Sequence, residues 1–206
     1  VKGSNIIDRH ALACTSLLGI NVLRQTIFKG IYKVLPGETI VYSIDEKKIK
    51  KTFRHLVKPY SNKKFNIDDF LHNTSLTIKN STLGIRKFGI FLSGGIDSSI
   101  IAYELNKSLK NISSFTNLMD PNEIIDGEDH NSDAKVAKKF SKILQLNHQE
   151  VKITPDIIDE SWNDAVKFME EPRYNWNLPM YYYTNKFLSQ NNIVVTMSGD
   201  MGDELY

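Results

Sequence analysis

The chain has 206 residues, 41% of them hydrophobic and 24% charged, with a formal net charge of +2; this ordinary globular composition excludes long disorder and fibrous repeats. The balance of 26 Lys and Arg against 24 Asp and Glu argues against a dedicated nucleic-acid binder, and no apolar run approaches the ~18 residues of a membrane span. One cysteine, Cys14, excludes an internal disulfide and a multi-cysteine zinc site. Val1 to Arg9 lacks the apolar core of a secretory signal, so the expectation is a soluble, cytoplasmic protein.

Cys14 sits among Ala11, Leu12, Ala13 and Leu17, the setting of a small buried hydrophobe. Thr26 to Ile31 and Val34 to Tyr42 are rich in β-branched and aromatic residues and read as short strands broken by turns such as Pro36-Gly37. About sixty residues of this kind struggle to close a core alone, so the segment reads as a piece of something larger. Ile44 to Lys64 holds eight basic residues and two acids, +6 against -4 for the remainder. Such a block reads as solvated surface or linker, with a phosphate grip as the alternative. Pro59 and the polar run Ser61 to Lys64 place a domain boundary near residue 60.

Beyond that boundary strands and helices alternate. Phe70, Leu71, Thr74 and Ile78 mark a helix from Asn66 to Asn80, Phe88 to Leu92 is an apolar strand, and Ser98 to Lys110 carries Ile101, Leu105 and Leu109 at helical spacing. A strand over Ile112 to Leu118 precedes a helix over Asp133 to Gln145 with Val136, Phe140, Ile143 and Leu144 on one side. A strand at Glu150 to Ile153, helices at Asp156 to Met169 and Met180 to Ser189, and a buried strand at Ile193 to Met197 complete the series. The alternation predicts an α/β fold with a parallel sheet covered on both faces, its ligand beyond the carboxyl ends of the strands.

Two strand ends carry the chemistry. Ser93-Gly94-Gly95-Ile96-Asp97-Ser98-Ser99 lies between the Phe88 strand and the next helix. Paired glycines, helix-start N–H groups and hydroxyls make an anion cradle sized for phosphate or pyrophosphate. Asp97 suits such a cradle only if a Mg2+ bridges it to the phosphate; a plain turn capped by Asp97 or Ser98 is the simpler alternative. There is no lysine, so this is not the Walker-type loop. Ser198-Gly199-Asp200-Met201-Gly202-Asp203-Glu204 follows the Ile193 strand. Alone, its three acids would read equally well as a solvated turn.

The first loop resembles the pyrophosphate loop of the N-type ATP pyrophosphatases, the PP-loop superfamily. The second is similar to the Ser-Gly-(Glu/Asp)-x-x-Asp-Glu signature of glutamine-hydrolysing asparagine synthetases, and Ser114-Phe115, Asp133 with Ala137, Glu171-Pro172, Pro179 and Tyr181 fall in the same order. The resemblance implies an internal fragment: residues 1–58 as the closing strands of a β-rich glutaminase domain, and 59–206 as a truncated synthetase domain. It implies that Phe91 and Asn117 border adenine and ribose through backbone or packing contacts. Ser93, Gly94, Gly95, Asp97 and Ser98 would hold pyrophosphate and metal, and Ser198 and Gly199 would contact ATP. Asp200 matches the acid associated with acyl-adenylate formation, and Asp203 would share Mg2+ with Asp97. The reaction implied uses ATP and Mg2+: aspartate becomes β-aspartyl-AMP with release of pyrophosphate, and ammonia from glutamine then gives asparagine and AMP. Small-molecule substrates, no nucleic acid, no membrane and room for a homodimer of the full-length protein complete the expectation.

The chain departs from the family at its start, Val1-Lys2-Gly3, which lacks the N-terminal cysteine nucleophile, and in Met201, where small residues are usual. The fragment alone is therefore expected to be inactive. Alternatives are a related amidotransferase acting on a sugar or a β-lactam precursor, a non-catalytic nucleotide-binding homologue, and a nucleic-acid binder using the basic stretch. His10, His55, His72, His130 and His148 show no metal spacing and read as packing or surface residues. The acidic residues Asp120, Glu123, Asp126, Glu128, Asp129 and Asp133 read as a mobile loop over the nucleotide. The aromatics Trp162, Tyr174, Trp176, Tyr181, Tyr182 and Tyr183 read as helix packing.

Overall fold

The structure is a computed structural model that describes residues 6–21, 24–54, 64–84, 87–109, 111–120, 129–170, 175 and 177–200. The chain divides into two units, Val1–Lys64 with Asn163–Trp176, and Phe65–Trp162 with Asn177–Tyr206. The expected boundary after residue 58 lies outside the described residues.

In the first unit Asp8 starts a helix, α1 (Arg9–Leu18), by accepting the amides of His10 and Ala11 at 3.0 and 3.1 Å. The buried positions of α1 are Ala11 and Thr15, one turn apart. Cys14 is only half-buried, with its Sγ 3.9 Å from His10 Nε2, so the buried reading of this thiol is corrected. Thr26 to Ile31 is not a strand. It folds back on itself, with Thr26 N–H donating to Ile31 O at 3.1 Å and Gly30 at φ +86, because the threonine hydroxyl offers the backbone a local partner. The following strand, β1 (Glu38–Ser43), begins after Pro36-Gly37 rather than at Val34.

That strand pairs antiparallel with β2 (Lys48–Arg54), so seven residues of the expected basic linker form a strand. Its lysines obscure an alternation of Ile49 and Phe53 with charge, and Glu46 neutralises two of them, at 2.8 Å from Lys48 and 2.5 Å from Lys50. These ammonium partners hold the Glu46 carboxyl below its usual range.

In the second unit Asn66 caps α2 (Ile67–Ser81) by accepting the amides of Asp68 and Asp69. Then follow β3 (Phe88–Phe91), α3 (Ile96–Ser108), β4 (Ser113–Met119), α4 (Ser132–Ile143), β5 (Asn147–Ile153), α5 (Pro155–Met169, whose last turns fall in the first unit), α6 (Leu178–Gln190) and β6 (Val195–Met197). The sheet is parallel in the order β5-β4-β3-β6, as the alternation predicts. The chain steps outward from β3 through β4 to β5 and returns to the far side of β3, a reversal that opens a crevice at the carboxyl ends of β3 and β6.

Residues of opposite parity build two cores. Ile90, Leu92 and Ile112 pack with Ile78 of α2, Ala102 and Leu105 of α3 and Ala137 of α4. Phe115, Val151 and Ile153 pack with Leu188 of α6 and Ile193. Full burial of each of these larger side chains stabilises by about 1.5–3 kcal/mol. Gly89 has its place because a Cβ there would stand 2.9 Å from the Phe115 ring and 3.0 Å from Ile193. On α4 the expected apolar side is half right: Phe140 and Leu144 pack against the first core, Val136 and Ile143 are exposed, and the fully buried residues are Ala134, Ala137 and Ser141. Small side chains let this helix sit close to the sheet, and size overrides hydrophobicity at the contact.

Candidate active site

Three chain segments meet at the reversal. β3 ends with Leu92 locked to its neighbour: its N–H donates to Phe115 O at 2.8 Å, and its carbonyl accepts the Thr116 hydroxyl at 2.5 Å. The chain then turns through Ser93-Gly94-Gly95 into α3, whose first turn contains Asp97 and whose N-cap, Gly95, offers no side chain to cap it. Its first-turn amides are thereby left available to an anion. The turn is held by hydroxyls. Ser98 Oγ lies 2.9 Å from Ser93 Oγ and accepts the Ser93 amide at 3.2 Å, while Ser98 and Ser99 donate to Gly95 O at 3.2 and 2.7 Å. Gly94 has φ +88, and a Cβ there would run into the Asp133 backbone carbonyl at the start of α4.

From β6, Ser198 donates to Asp200 Oδ2 at 2.8 Å. Gly199 between them lies against α3, where an added Cβ would be 2.7 Å from Ser98 N and 2.9 Å from Asp97 Cβ. The two motif loops touch. Strand pairing explains this: Ile90 aligns with Met197, so both loops leave the sheet at the same level.

A cavity of about 440 Å³ opens where the segments meet, and its wall includes Phe91, Ser93, Gly95, Asp97, Ser98, Asn117, Ser198, Gly199 and Asp200. Gly94 lies behind the wall as the support against α4, and Asp203 lies outside the described residues, as do Met201 and Glu171-Pro172. The wall also holds Thr116, His130, Asp133, Tyr181 and Asn185. His130 is exposed at this cavity, so the reading that set it aside as packing or surface is amended to a cavity residue. The strap that places it is Asn131, whose side chain accepts Met119 N–H and donates to Met119 O, both at 2.9 Å, tying the end of β4 to the start of α4. Beside it, the Lys135 ammonium holds the Asp129 carboxyl below its usual range. The acidic-loop residues 121–128 lie outside the described residues.

Among its described residues the cavity wall carries Asp97, Asp133 and Asp200 and neither Lys nor Arg. A bare triphosphate would be repelled here and needs a cation alongside it. Among the described residues no group of three or more His, Cys, Asp or Glu is gathered to hold a metal. Hard carboxylate donors with hydroxyls and open amides suit Mg2+, which takes one or two carboxylates and completes its shell with phosphate and water.

A family model described as asparagine synthase matches residues 76–206. The chain belongs to the asparagine synthase family. The stretch matched runs from α2 through both motif loops, and so takes in the whole described cavity wall. Outside the family model, the chain is similar to the amidase chyE of Penicillium rubens, 24% identical over 210 residues that cover 87% of this chain and 29% of that protein. This asparagine synthase family chain thus spans less than a third of that relative's length. Among solved structures it is similar to the NMN synthetase from Francisella tularensis (TM-score 0.43, 19% identity, 64% of this chain and 54% of that one). It is also similar to an NH3-dependent NAD synthetase from Campylobacter jejuni (TM-score 0.41, 19% identity, 64% and 56%). Among the described residues no helix is long and apolar enough to cross a membrane.

Proposed function

We propose that this chain is the ATP-using part of a glutamine-dependent asparagine synthetase. It would activate the side-chain carboxylate of aspartate as β-aspartyl-AMP with release of pyrophosphate, then pass the acyl group to ammonia to give asparagine and AMP. The observation that carries the reading is the contact of Gly199 with the Asp97–Ser98 turn, which brings a phosphate-type cradle and a second acidic strand end to one cavity.

The residues divide the work by their chemistry. Ser93, Gly95 and Ser98, with the start of α3, receive phosphate oxygens through hydroxyl and amide donors. Phe91 and Asn117 flank the base. Ser198 and Gly199 close on the nucleotide from the β6 side, and Asp200, held by Ser198, faces the site of acyl transfer. Mg2+, held by Asp97 and Asp203, would neutralise the departing pyrophosphate. Residues 1–58 would be the end of a glutaminase domain, with aspartate, glutamine and ATP as substrates in the cytoplasm.

Exchange of labelled pyrophosphate into ATP tests the reading directly, with the full chain offered aspartate, glutamate, a β-amino acid or a sugar acid in turn. Exchange that depends on aspartate supports it. Exchange with another acid alone moves the acceptor, and no exchange with any acid, together with no ATP binding, overturns it. Asparagine formation compared with glutamine and with ammonium as donor then tests the nitrogen source.

A further inference from the structure

His130 stands on a closed turn between β4 and α4. Ser132 N–H donates to Asp129 O at 3.0 Å across that turn, and the Asn131 strap to Met119 holds the neighbouring residue. Asp129, the adjacent carboxylate, is already engaged. One of its oxygens accepts the Asn131 amide at 3.1 Å and the other the Lys135 ammonium at 2.5 Å. The His130 ring is exposed, and among the described residues it makes no hydrogen bond or ion pair. It shares the cavity wall with Asp97 of α3, Asp133 of α4, Tyr181 of α6 and Asp200 beyond β6. Histidine is the side chain that changes charge between pH 5 and 8, so His130 is the residue of the described wall that can become cationic.

The activation described above brings two anions to this wall, the nucleotide and the acid. Phosphate oxygens have partners of their own in the Ser93 and Ser98 hydroxyls, the amides at the start of α3 and the Mg2+ assigned to Asp97. A carboxylate that does not react has no such set, and it enters a wall that carries three aspartates. Like charges disfavour it there unless a positive group stands opposite. We propose that His130 is the carboxylate-binding residue of the cavity, its imidazolium holding the non-reacting carboxylate of a dicarboxylic amino acid while the other carboxylate is activated. This role deepens the ATP-using reading and rests on it. It makes a second carboxylate the feature by which the site selects its acceptor. A monocarboxylic acid presents its only anion to the nucleotide and leaves the ring unused.

Titration calorimetry of the full chain tests this, with far-UV circular dichroism as the control for folding. The chain is first saturated with α,β-methylene-ATP and Mg2+, which cannot release pyrophosphate, and is then titrated with aspartate or with β-alanine, which is aspartate without its α-carboxylate. The parent is expected to prefer aspartate by about tenfold at pH 6, to lose most of that preference by pH 8, and to take up protons on binding aspartate, read from two buffers of different ionisation enthalpy. His130→Gln is expected to bind both acids about equally at both pH values, without that uptake and with nucleotide affinity within about twofold of the parent. His130→Lys is expected to keep the preference at pH 8, a rescue that a structural role does not produce. The same preference and pH trend in His130→Gln overturn the proposal alone, as does a variant that loses nucleotide affinity with the acid preference unchanged, which would assign the ring to phosphate. Nucleotide binding by the parent without aspartate binding also overturns it alone. No nucleotide binding by a folded parent overturns it together with the reading on which it rests.

Discussion

Gly199 and Asp97 lie so close that a methyl group on the first would stand 2.9 Å from the Cβ of the second. The two residues are 102 positions apart in the chain, and their contact is a consequence of β3 and β6 pairing in parallel, with Phe88 opposite Val195. Both motif loops inherit their height above the sheet from this register, so the site is assembled by backbone hydrogen bonds before any side chain contributes.

The first prediction concerns that contact. Gly199→Ala places its Cβ 2.7 Å from the Ser98 nitrogen, and backbone on both sides leaves little room to yield, so the loops must separate. Overpacking of this kind costs about 1–3 kcal/mol, here taken mostly from ligand binding because the loops lie at the rim of the core. We expect ATP affinity to drop by about tenfold or more with a small change in melting temperature. A variant that binds ATP as tightly as the parent would show that the loops do not close on the ligand.

Gly94→Ala fails for two reasons at once. Its φ of +88 is unfavourable for a residue with a Cβ, and the Asp133 carbonyl occupies the space that the methyl needs. Together these cost about 2–4 kcal/mol. Unlike the previous variant it should lose stability, read as a lower urea midpoint at unchanged slope, since the clash is with the backbone that starts α4.

The alternating pattern, the parallel sheet and the two motif loops were legible because they depend on local signals: period, length and glycine position. The Asp133–Gly94 support and the Asn131 strap were not, because a backbone carbonyl and an asparagine at a helix start carry no periodic signal and acquire meaning only when β4 and α4 are adjacent. The misplacement of Val136 and Ile143 on the α4 face that Phe140 and Leu144 do bury has a similar origin. Val136 and Ile143 outrank Ala134 and Ala137 on any hydrophobic scale, yet close approach to the sheet selects small side chains. On β2 the error ran the other way, as the charge of Lys48, Lys50 and Lys51 hid a strand whose pairing with β1 is set by backbone geometry. The pairing of Asp97 with Asp203 lies outside the described residues, so that part of the site remains a reading from sequence.

Asp97→Ala separates chemistry from folding. The residue lies in the first turn of α3, where a carboxylate contributes about 0.3–1 kcal/mol through the helix dipole. Melting should therefore shift by only a few degrees, while pyrophosphate exchange is lost with the proposed metal contact. Robust pyrophosphate release by this variant would remove Asp97 from the metal site.

The last prediction concerns a histidine away from the cavity. His148 on β5 lies opposite Ser114, with Nδ1 3.0 Å from the serine hydroxyl and Nε2 buried without a partner among the described residues. Burial pushes its pKa below the ordinary value; the nearby Glu150 opposes this and Lys138, ion-paired with Glu150 at 2.8 Å, adds to it. The folded pKa thus lies below the unfolded value of about 6.5, so the unfolded chain takes up the proton first. The contribution of neutral His148 is complete above pH ~6.5, declines as the pH falls through that value, and levels off below the folded pKa. We expect the parent to lose melting temperature between pH 7.5 and 5 more steeply than His148→Phe, which keeps a ring but cannot titrate. Only the difference in slope is diagnostic, since the carboxylates begin to titrate at the acidic end in both proteins. Equal slopes would mean that water or movement of α4 gives Nε2 a partner when it is protonated.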